Sequence, residues 1–231
     1  MTTRKILQYP SQQLTEISNP VTDFDDSLRS LITDLCDTLE VEGGAGLASP
    51  QIGVGKRVLV IKPELFGCDN PDPDSVLGKE TWVLVNPEVS FGDDTSTTRW
   101  QEVCMSVPWN SGFVSRREKC NVKYQRRDGT VNTLSLDMPL AGVMQHEVDH
   151  LNGVLYIDHV GTLDRVRILK RLKKIVHHRL GLFEAKKEQD ILDVSGPAAL
   201  RKYRAERDNT KIVVKKRRKV PKTFGAQKKR K

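Results

Sequence analysis

The ten residues MQHEVDHLNG, at positions 144–153, constrain the fold more than any other part of the sequence. They continue an apolar stripe at helical spacing and end at a glycine, which is typical of a buried helix. With a rise of about 1.5 Å per residue, His146 and His150 lie about 6 Å apart along such a helix and on one side of it. Both imidazoles can therefore reach one cation, and Glu147 is near enough to contact a water bound to that cation.

The free-energy cost of burying polar side chains distinguishes a helix that binds a metal from an ordinary core helix. A lone histidine on an apolar helix is usually a core residue, and the glutamate would then belong to a salt bridge. Two imidazoles and a carboxylate on one buried helix are costly to bury without a compensating cation. The HExxH arrangement at residues 146–150 therefore favours a metal site.

A catalytic cation typically takes three protein ligands and leaves one position for water, so a third ligand must lie elsewhere in the chain. The longer pattern HExxHxxGxxH matches only as far as Gly153, because Tyr156 stands at the position of its third histidine. Glu184 and Glu188 follow farther downstream, in or near a basic segment, and have weak support. Cys104, in the β-rich run QEVCMSVP, is either a thiolate ligand or a small apolar core residue.

Length and charge indicate one domain followed by a basic extension. The chain has 231 residues, which is enough for one sizeable core. Residues 177–231 contain 18 Lys/Arg and 6 Asp/Glu, whereas residues 1–176 contain 20 and 24, so the net charge of +8 comes from the last quarter. We therefore expect a domain over residues 1–176 and an extension over 177–231, in which a helix ends near residue 180 and the remainder is largely disordered.

The sequence predicts a cytoplasmic protein that does not contact a membrane. The N-terminal residues lack the apolar core of a signal peptide, and no apolar run approaches the roughly 18 residues of a membrane span. The four cysteines are scattered without paired spacing. In a reducing compartment this pattern favours free thiols or metal ligands over disulfides.

The apolar patterns predict an α+β fold. Leucine and isoleucine repeat at helical spacing over residues 25–40, and β-rich runs lie at 57–61, 81–89 and 102–107. An Asp-Gly turn joins two further runs, which should pair as a hairpin. The expected architecture has antiparallel β-sheets around a central HExxH helix, followed by a C-terminal helix and a basic tail.

Three segments occur together in the order and spacing of one family: GAGLASPQIG at 44–53, EVCMS at 102–106 and QHEVDHLNG at 145–153. Through them the chain resembles peptide deformylase, over roughly residues 4–176. The third segment alone is ambiguous, but the three together are highly specific. The resemblance implies a metal-dependent hydrolase that removes the formyl group from the N-terminal methionine of nascent polypeptides and releases formate.

The resemblance also implies a role for each matching residue. Glu147 would be the acid and base of the reaction. The side-chain amide of Gln51 and the backbone N–H of Met105 would stabilise the oxyanion, and the backbone of Gly46 would contact the peptide. The resemblance implies that one divalent metal ion, natively Fe²⁺ with Zn²⁺, Ni²⁺ or Co²⁺ as alternatives, is bound by Cys104, His146 and His150.

Two positions depart from the family pattern. The family usually has glycine where this chain has Val103, and alanine where it has Ser49. A side chain at position 103 would narrow the substrate groove or move the strand that carries the cysteine. Every atom that the chemistry requires is nevertheless present.

Two other classes stay open from the residues alone. One is an ordinary HExxH metalloprotease, and the other is a nucleic-acid-binding module with a structural metal, which would need a fourth protein ligand. The basic extension is either a solvated tail or a segment that binds RNA through counterion release. The resemblance implies a monomer that acts on formyl-methionyl nascent peptides and docks on ribosomal RNA through this extension.

Overall fold

The computed structural model describes residues 3–68 and 81–217, and its internal contacts divide the chain into two units, residues 1–172 and 173–231. The first unit is an α+β fold with antiparallel sheets. Helix α1 spans Asp26–Glu42, and α2 spans Leu140–Leu151. The strands are β1 Gly46–Ala48, β2 Val58–Ile61, β3 Trp82–Ser90, β4 Thr97–Cys104, β5 Val107–Arg117, β6 Lys119–Gln125 and β7 Val131–Asp137.

A five-stranded antiparallel sheet lies between helices α1 and α2. Its strand order is β1-β2-β3-β6-β7, so β1 lies at an edge. Side chains alternate between the two faces of a strand. Accordingly, Leu59 and Leu84 pack in one core with Met144 of α2, whereas Val58 and Val60 pack in a second core with α1. The continuous apolar runs at 57–61 and 81–89 therefore reflect strands that are buried on both faces.

Helix α1 shows how local sequence sets an element's ends. Asp25 is its N-cap, and the carboxylate of Asp25 accepts hydrogen bonds from the backbone N–H groups of Ser27 and Leu28. Gly43 ends the helix with a φ of 71°, in the left-handed region that favours glycine. The helix predicted over residues 25–40 is confirmed.

Strands β4 and β5 form a separate two-stranded sheet. The β-rich run at 102–107 is not one strand, because β4 ends at Cys104 and β5 begins at Val107. Val103 pairs with Ser111 but Cys104 pairs with Val107, so three residues of β5 bulge out between these pairs. An apolar run that crosses a tight turn is indistinguishable from a strand by composition alone. The hairpin of β6 and β7, with Gly129 at φ 87° in its turn, is confirmed.

Helix α3 spans Thr162–Arg217, whereas the sequence predicted a helix ending near residue 180 and disorder beyond it. Residues 181–206 are rich in alanine, leucine, glutamate, lysine and arginine, which favour a helix even where no apolar stripe continues. The rest of the predicted disordered segment, residues 218–231, lies outside the described residues. Across the ranges that are described, no helix combines the length and the apolar character of a membrane span.

The second unit contains contacts that a straight helix could not make. The hydroxyl of Tyr203 donates to the carboxylate of Glu184 at 2.8 Å, and Lys187 Nζ lies 4.9 Å from the centre of the Tyr203 ring. Residues 19 positions apart in a straight helix would be separated by about 28 Å. The helical chain therefore turns back between these residues, in a stretch that contains Pro197, which has no backbone N–H to donate.

Candidate metal and active site

Helix α2 carries the polar residues of the site in a buried position. The predicted apolar stripe is confirmed, since Leu140, Met144, Val148 and Leu151 lie in the core. On the same helix His146, Glu147 and His150 are 9%, 4% and 1% exposed. All residues of this helix except Asp149 are buried. The packing that holds the helix therefore also removes its polar groups from water.

The structure brings Cys104 next to both histidines of α2. Cys104 Sγ lies 3.2 Å from His150 Nε2. The potential ligand atoms of Cys104, His146 and His150 all lie within 4.8 Å of one another. The cysteine stands at the last position of β4, where the register of the hairpin shifts. One thiol and two imidazoles thus converge from distant parts of the chain.

The charges within this cluster favour the thiolate form of Cys104. Burial raises the pKa of the Cys104 thiol, but the charge of His150 and hydrogen bonds from both imidazoles outweigh burial and hold the pKa well below its usual value. For His146, burial lowers the pKa, but hydrogen bonds to Cys104 and Glu102 raise it well above the usual value. The thiolate is the form of cysteine that binds metal ions.

Glu102, two residues before the cysteine, orients one of the imidazoles. Its Oε2 lies 2.7 Å from His146 Nδ1, so Nε2 is the ring nitrogen left for Cys104 and the cluster. Arg116 donates to both carboxylate oxygens of Glu102, at 2.7 and 3.1 Å, and the indole of Trp100 donates to Oε1 at 3.0 Å. Burial alone would raise the pKa of Glu102, but His146 and Arg116 lower it to about 2. Such a carboxylate fixes both the tautomer and the orientation of a ligating histidine.

The polar network continues past Arg116 to the protein surface. Arg116 Nη1 donates to Asp149 Oδ2 at 2.7 Å, and the same oxygen lies 2.8 Å from His159 Nε2. The guanidinium is thereby paired with two carboxylates, which compensates for its burial. Sequence reasoning did not identify Glu102, Arg116 or Asp149 as parts of the site. In the sequence, Glu102 lies two residues before Cys104 and Asp149 directly precedes His150, and this proximity could have identified both.

Glu147 stands beside the cluster with an unsatisfied oxygen. Burial raises the pKa of Glu147 to about 7. Within the described part of the chain, Glu147 Oε2 is buried and has no hydrogen-bond partner. A methyl group added at Gly46 would lie 2.7 Å from Glu147 Oε1. The absence of a side chain at position 46 therefore makes room for the carboxylate.

Gln51 lies on the other side of the cysteine, in the short 3-10 helix Ser49–Ile52. Its Oε1 accepts a hydrogen bond from the backbone N–H of Ala48 at 2.8 Å, which fixes the direction of the amide. Its Nε2 lies 3.7 Å from Cys104 Sγ and 3.2 Å from Ser106 Oγ. The amide thus presents an N–H donor to the cluster.

A cavity of about 230 Å³ opens next to these groups. Both sheets contribute to its walls, because the edge strand β1 lines one side and the end of β4 lines the other. Apolar side chains at positions 66, 100 and 143 complete it. The predicted site residues that line it are Gly46, Gln51, Cys104, Met105, His146 and Glu147.

The residues present fit a divalent metal ion. A thiolate and two neutral imidazoles are ligands that Fe²⁺, Zn²⁺, Co²⁺ and Ni²⁺ accept. The three side chains also leave room for solvent, since they adjoin a cavity and a carboxylate oxygen without a partner.

Comparisons with known proteins agree with this geometry. Residues 3–166 match the family model described as polypeptide deformylase. A peptide deformylase from Erythrobacter litoralis is 38% identical over 191 residues, covering 76% of this chain and 98% of the relative. One from Pelagibacter ubique is 37% identical over 180 residues, covering 78% and 99%.

A solved structure shows the same fold. The crystal structure of a peptide deformylase from Legionella pneumophila has a TM-score of 0.66 and 36% sequence identity, and the match covers 77% of this chain and 98% of that one. Sequence, fold and buried cluster lead to one conclusion: the chain belongs to the polypeptide deformylase family, hydrolases that use a divalent metal to remove the N-formyl group from nascent peptides.

Proposed function

We propose that Cys104, His146 and His150 hold one divalent metal ion at which this chain hydrolyses the formamide of formyl-methionyl peptides. The observation that carries the proposal is the approach of the three ligand atoms to within 4.8 Å of one another beside a buried glutamate. A cation bound there would lower the pKa of water from about 15.7 toward 7 and polarise the formyl oxygen. We further propose Fe²⁺ as the native ion, with Zn²⁺, Ni²⁺ or Co²⁺ able to replace it.

Glu147 moves the proton in this proposal. Its carboxylate accepts a proton from the attacking water and donates it to the nitrogen of the departing methionine, so that the C–N bond breaks and formate is released. A pKa near 7 suits a group that must act as base and then as acid at neutral pH. The buried Oε2 has no partner among the described residues and is available for this exchange.

Gln51 and Met105 stabilise the oxygen on which negative charge develops. The amide of Gln51 is held by Ala48, so its Nε2 donates without first having to reorient. We assign the second donor to the backbone N–H of Met105, in the turn between β4 and β5. Both residues border the cavity that holds Cys104.

The peptide binds along β1. Because β1 is an edge strand, its outer backbone groups can pair with an extended chain, and Gly46 lies on this strand. The methionine side chain then enters the apolar part of the cavity. This arrangement places the formyl group at the cluster while the rest of the peptide leaves through the open side.

We also propose that the two parts of the chain have different functions. We assign catalysis to residues 1–176 and ribosome attachment to the basic extension at 177–231. Its 18 basic residues against 6 acidic ones support salt-dependent RNA binding without sequence specificity. We expect the protein to act in the cytoplasm as a monomer.

One assay separates deformylase activity from the two rival functions. Purified protein is incubated with formyl-Met-Ala, with unformylated Met-Ala peptides and with casein, each with and without a chelator. A deformylase releases formate only from the first substrate, and the chelator abolishes this release. Cleavage of casein would instead indicate an HExxH protease, and no hydrolysis by metal-loaded protein would indicate a structural metal site.

A further inference from the structure

Val103 lies next to Cys104 on β4, yet its side chain points the other way. Cys104 is 8% exposed and faces the cluster, whereas Val103 is 71% exposed. This alternation follows from the two-residue period of a strand. Val103 nevertheless borders the cavity. A branched apolar side chain therefore stands on the rim of the candidate active site, in contact with solvent.

The neighbouring strand adds one aromatic residue near this rim. Val103 pairs with Ser111 of β5, which makes Phe113 its diagonal neighbour on the same face, at a typical distance of about 7–8 Å. Phe113 is 51% exposed, and the guanidinium of Arg99 lies 5.0 Å from the centre of its ring. The outer face beside the cavity mouth thus offers Val103 and the free part of an aromatic ring. The polar groups of Gln101 and Ser111 on this face are hydrogen-bonded to each other at 2.7 Å.

The direction of an extended substrate determines which of its side chains meets this rim. Successive side chains of an extended peptide point to opposite sides. If the first, methionine, points into the cavity, the second points away from it, and the exposed side chain of Val103 on the rim is the group that we expect it to contact. Further residues lie beyond the rim and farther from the cluster.

We propose that Val103 is a specificity-determining residue that favours an apolar side chain directly after formyl-methionine. The inference rests on the proposed deformylase function and adds the preferred substrate class. Valine has no polar atom in its side chain, so a polar substrate residue pressed against it loses water and gains no hydrogen bond. An apolar substrate residue instead gains a contact equivalent to burying about one methylene group. This contact raises kcat/KM for the apolar substrate roughly fourfold.

The test compares two neutral substrates of similar size, formyl-Met-Leu-Ala and formyl-Met-Asn-Ala, in four proteins. These are the wild type, Val103→Thr, Val103→Gly and the control Val131→Thr. Threonine keeps the branched shape that suits a strand, so Val103→Thr tests polarity without loosening β4. Val131 is a suitable control because it is 61% exposed on β7, outside the cavity wall.

We expect the wild type and Val131→Thr to hydrolyse the leucine substrate with the higher kcat/KM. In Val103→Gly the ratio of kcat/KM for the leucine and asparagine substrates should fall about fourfold. Val103→Thr should lose part of this preference. Each preference is a ratio of two kcat/KM values within one protein, so a change in overall rate, measured with formyl-Met-amide, does not enter it. An unchanged leucine-to-asparagine ratio in both Val103 variants would overturn the inference. Hydrolysis of formyl-Met-amide by the wild type tests the deformylase function separately, so the two failures are distinguishable.

Discussion

Helices α2 and α3 are stabilised in different ways. Helix α2 has 12 residues, of which only Asp149 escapes burial, and it is held by the sheet on one face and by a polar cluster on the other. Helix α3 has 56 residues, and most of its described side chains are exposed. The first helix depends on burial along its whole length, whereas the second packs Ile168 and Leu172 in a core near its start and relies more on local propensity beyond them.

The difference in burial determines which of the two helices can hold the chemistry. Burial in α2 raises the pKa of Glu147 and brings two imidazoles and a thiolate within reach of one cation. Most described side chains of α3 are exposed, so its lysines and arginines stay hydrated. Solvent and salt screen these charges from one another, but the charges can still attract an anionic partner. Catalysis should therefore be sensitive to single atoms around α2 and tolerant of large changes in α3.

The largest effect is expected for Glu147→Gln. The amide keeps the size of the side chain but cannot accept the proton of water, so turnover of formyl-Met-Ala should fall by about 10²- to 10⁴-fold. Metal content should stay the same as in the wild type, because Glu147 is not assigned as a ligand. Steady-state kinetics and metal analysis on the same preparation check both parts. Near-normal turnover would refute the role of Glu147.

The next effect is expected for Gly46→Ala, which acts on Glu147 indirectly. The added methyl group would lie 2.7 Å from Oε1 and 2.8 Å from Cγ of Glu147, so the carboxylate must move. A displacement of about 1 Å in a catalytic group costs on the order of 10²-fold in rate. Gly55→Ala is the matched control, because no atom lies within 4 Å of a methyl group there. Equal kcat for both variants would contradict the account of Gly46.

These two residues also show what sequence could and could not reveal. The HExxH spacing and the burial of α2 follow from a pattern that repeats every three to four residues, so both were predictable. The contact between Gly46 and Glu147 joins a strand to a helix about a hundred positions later, and no local pattern encodes such a contact. The roles of Cys104 and Gln51 came from the family resemblance, because one cysteine or one glutamine carries no signal of its own.

Glu102 and the length of α3 were missed for different physical reasons. Glu102 lies in a strand whose partners, Arg116 and His146, are distant in sequence, so its burial was not visible. Helix α3 continues beyond its apolar stripe, where propensity rather than periodicity maintains it. Apolar periodicity therefore predicted the buried elements well and the exposed helix poorly.

An intermediate effect is expected for Glu102→Gln. The amide cannot hold His146 and Arg116 with the same charge, so affinity for the metal should fall by about 10- to 100-fold. Competition with a chelator of known affinity, at constant pH, measures this loss. Glu118→Gln is a control on the same hairpin region, since that carboxylate accepts a hydrogen bond from Thr98 and does not contact the cluster. Unchanged affinity in Glu102→Gln would show that the carboxylate is not needed to orient the ring.

The smallest effect on hydrolysis is expected from deleting residues 181–231. This removes most of the exposed helix and its basic end, but none of the residues that line the cavity. Turnover of a short formyl-peptide should stay within about twofold of the full chain, whereas salt-sensitive binding to ribosomes should weaken. Sedimentation with ribosomes over a series of salt concentrations measures the second property. Equal ribosome affinity in both proteins would remove the proposed role of the extension.

X-ray absorption spectroscopy of protein purified anaerobically tests the central claim most directly, because it reports the atoms around the metal. We predict one metal ion per chain with one sulfur ligand at about 2.3 Å and two imidazole nitrogens at about 2.0–2.1 Å if zinc is bound, together with a light atom from solvent. In Cys104→Ser the sulfur contribution should disappear. A metal shell without sulfur in the wild type, or one closed by four protein ligands, would contradict the site described for this chain.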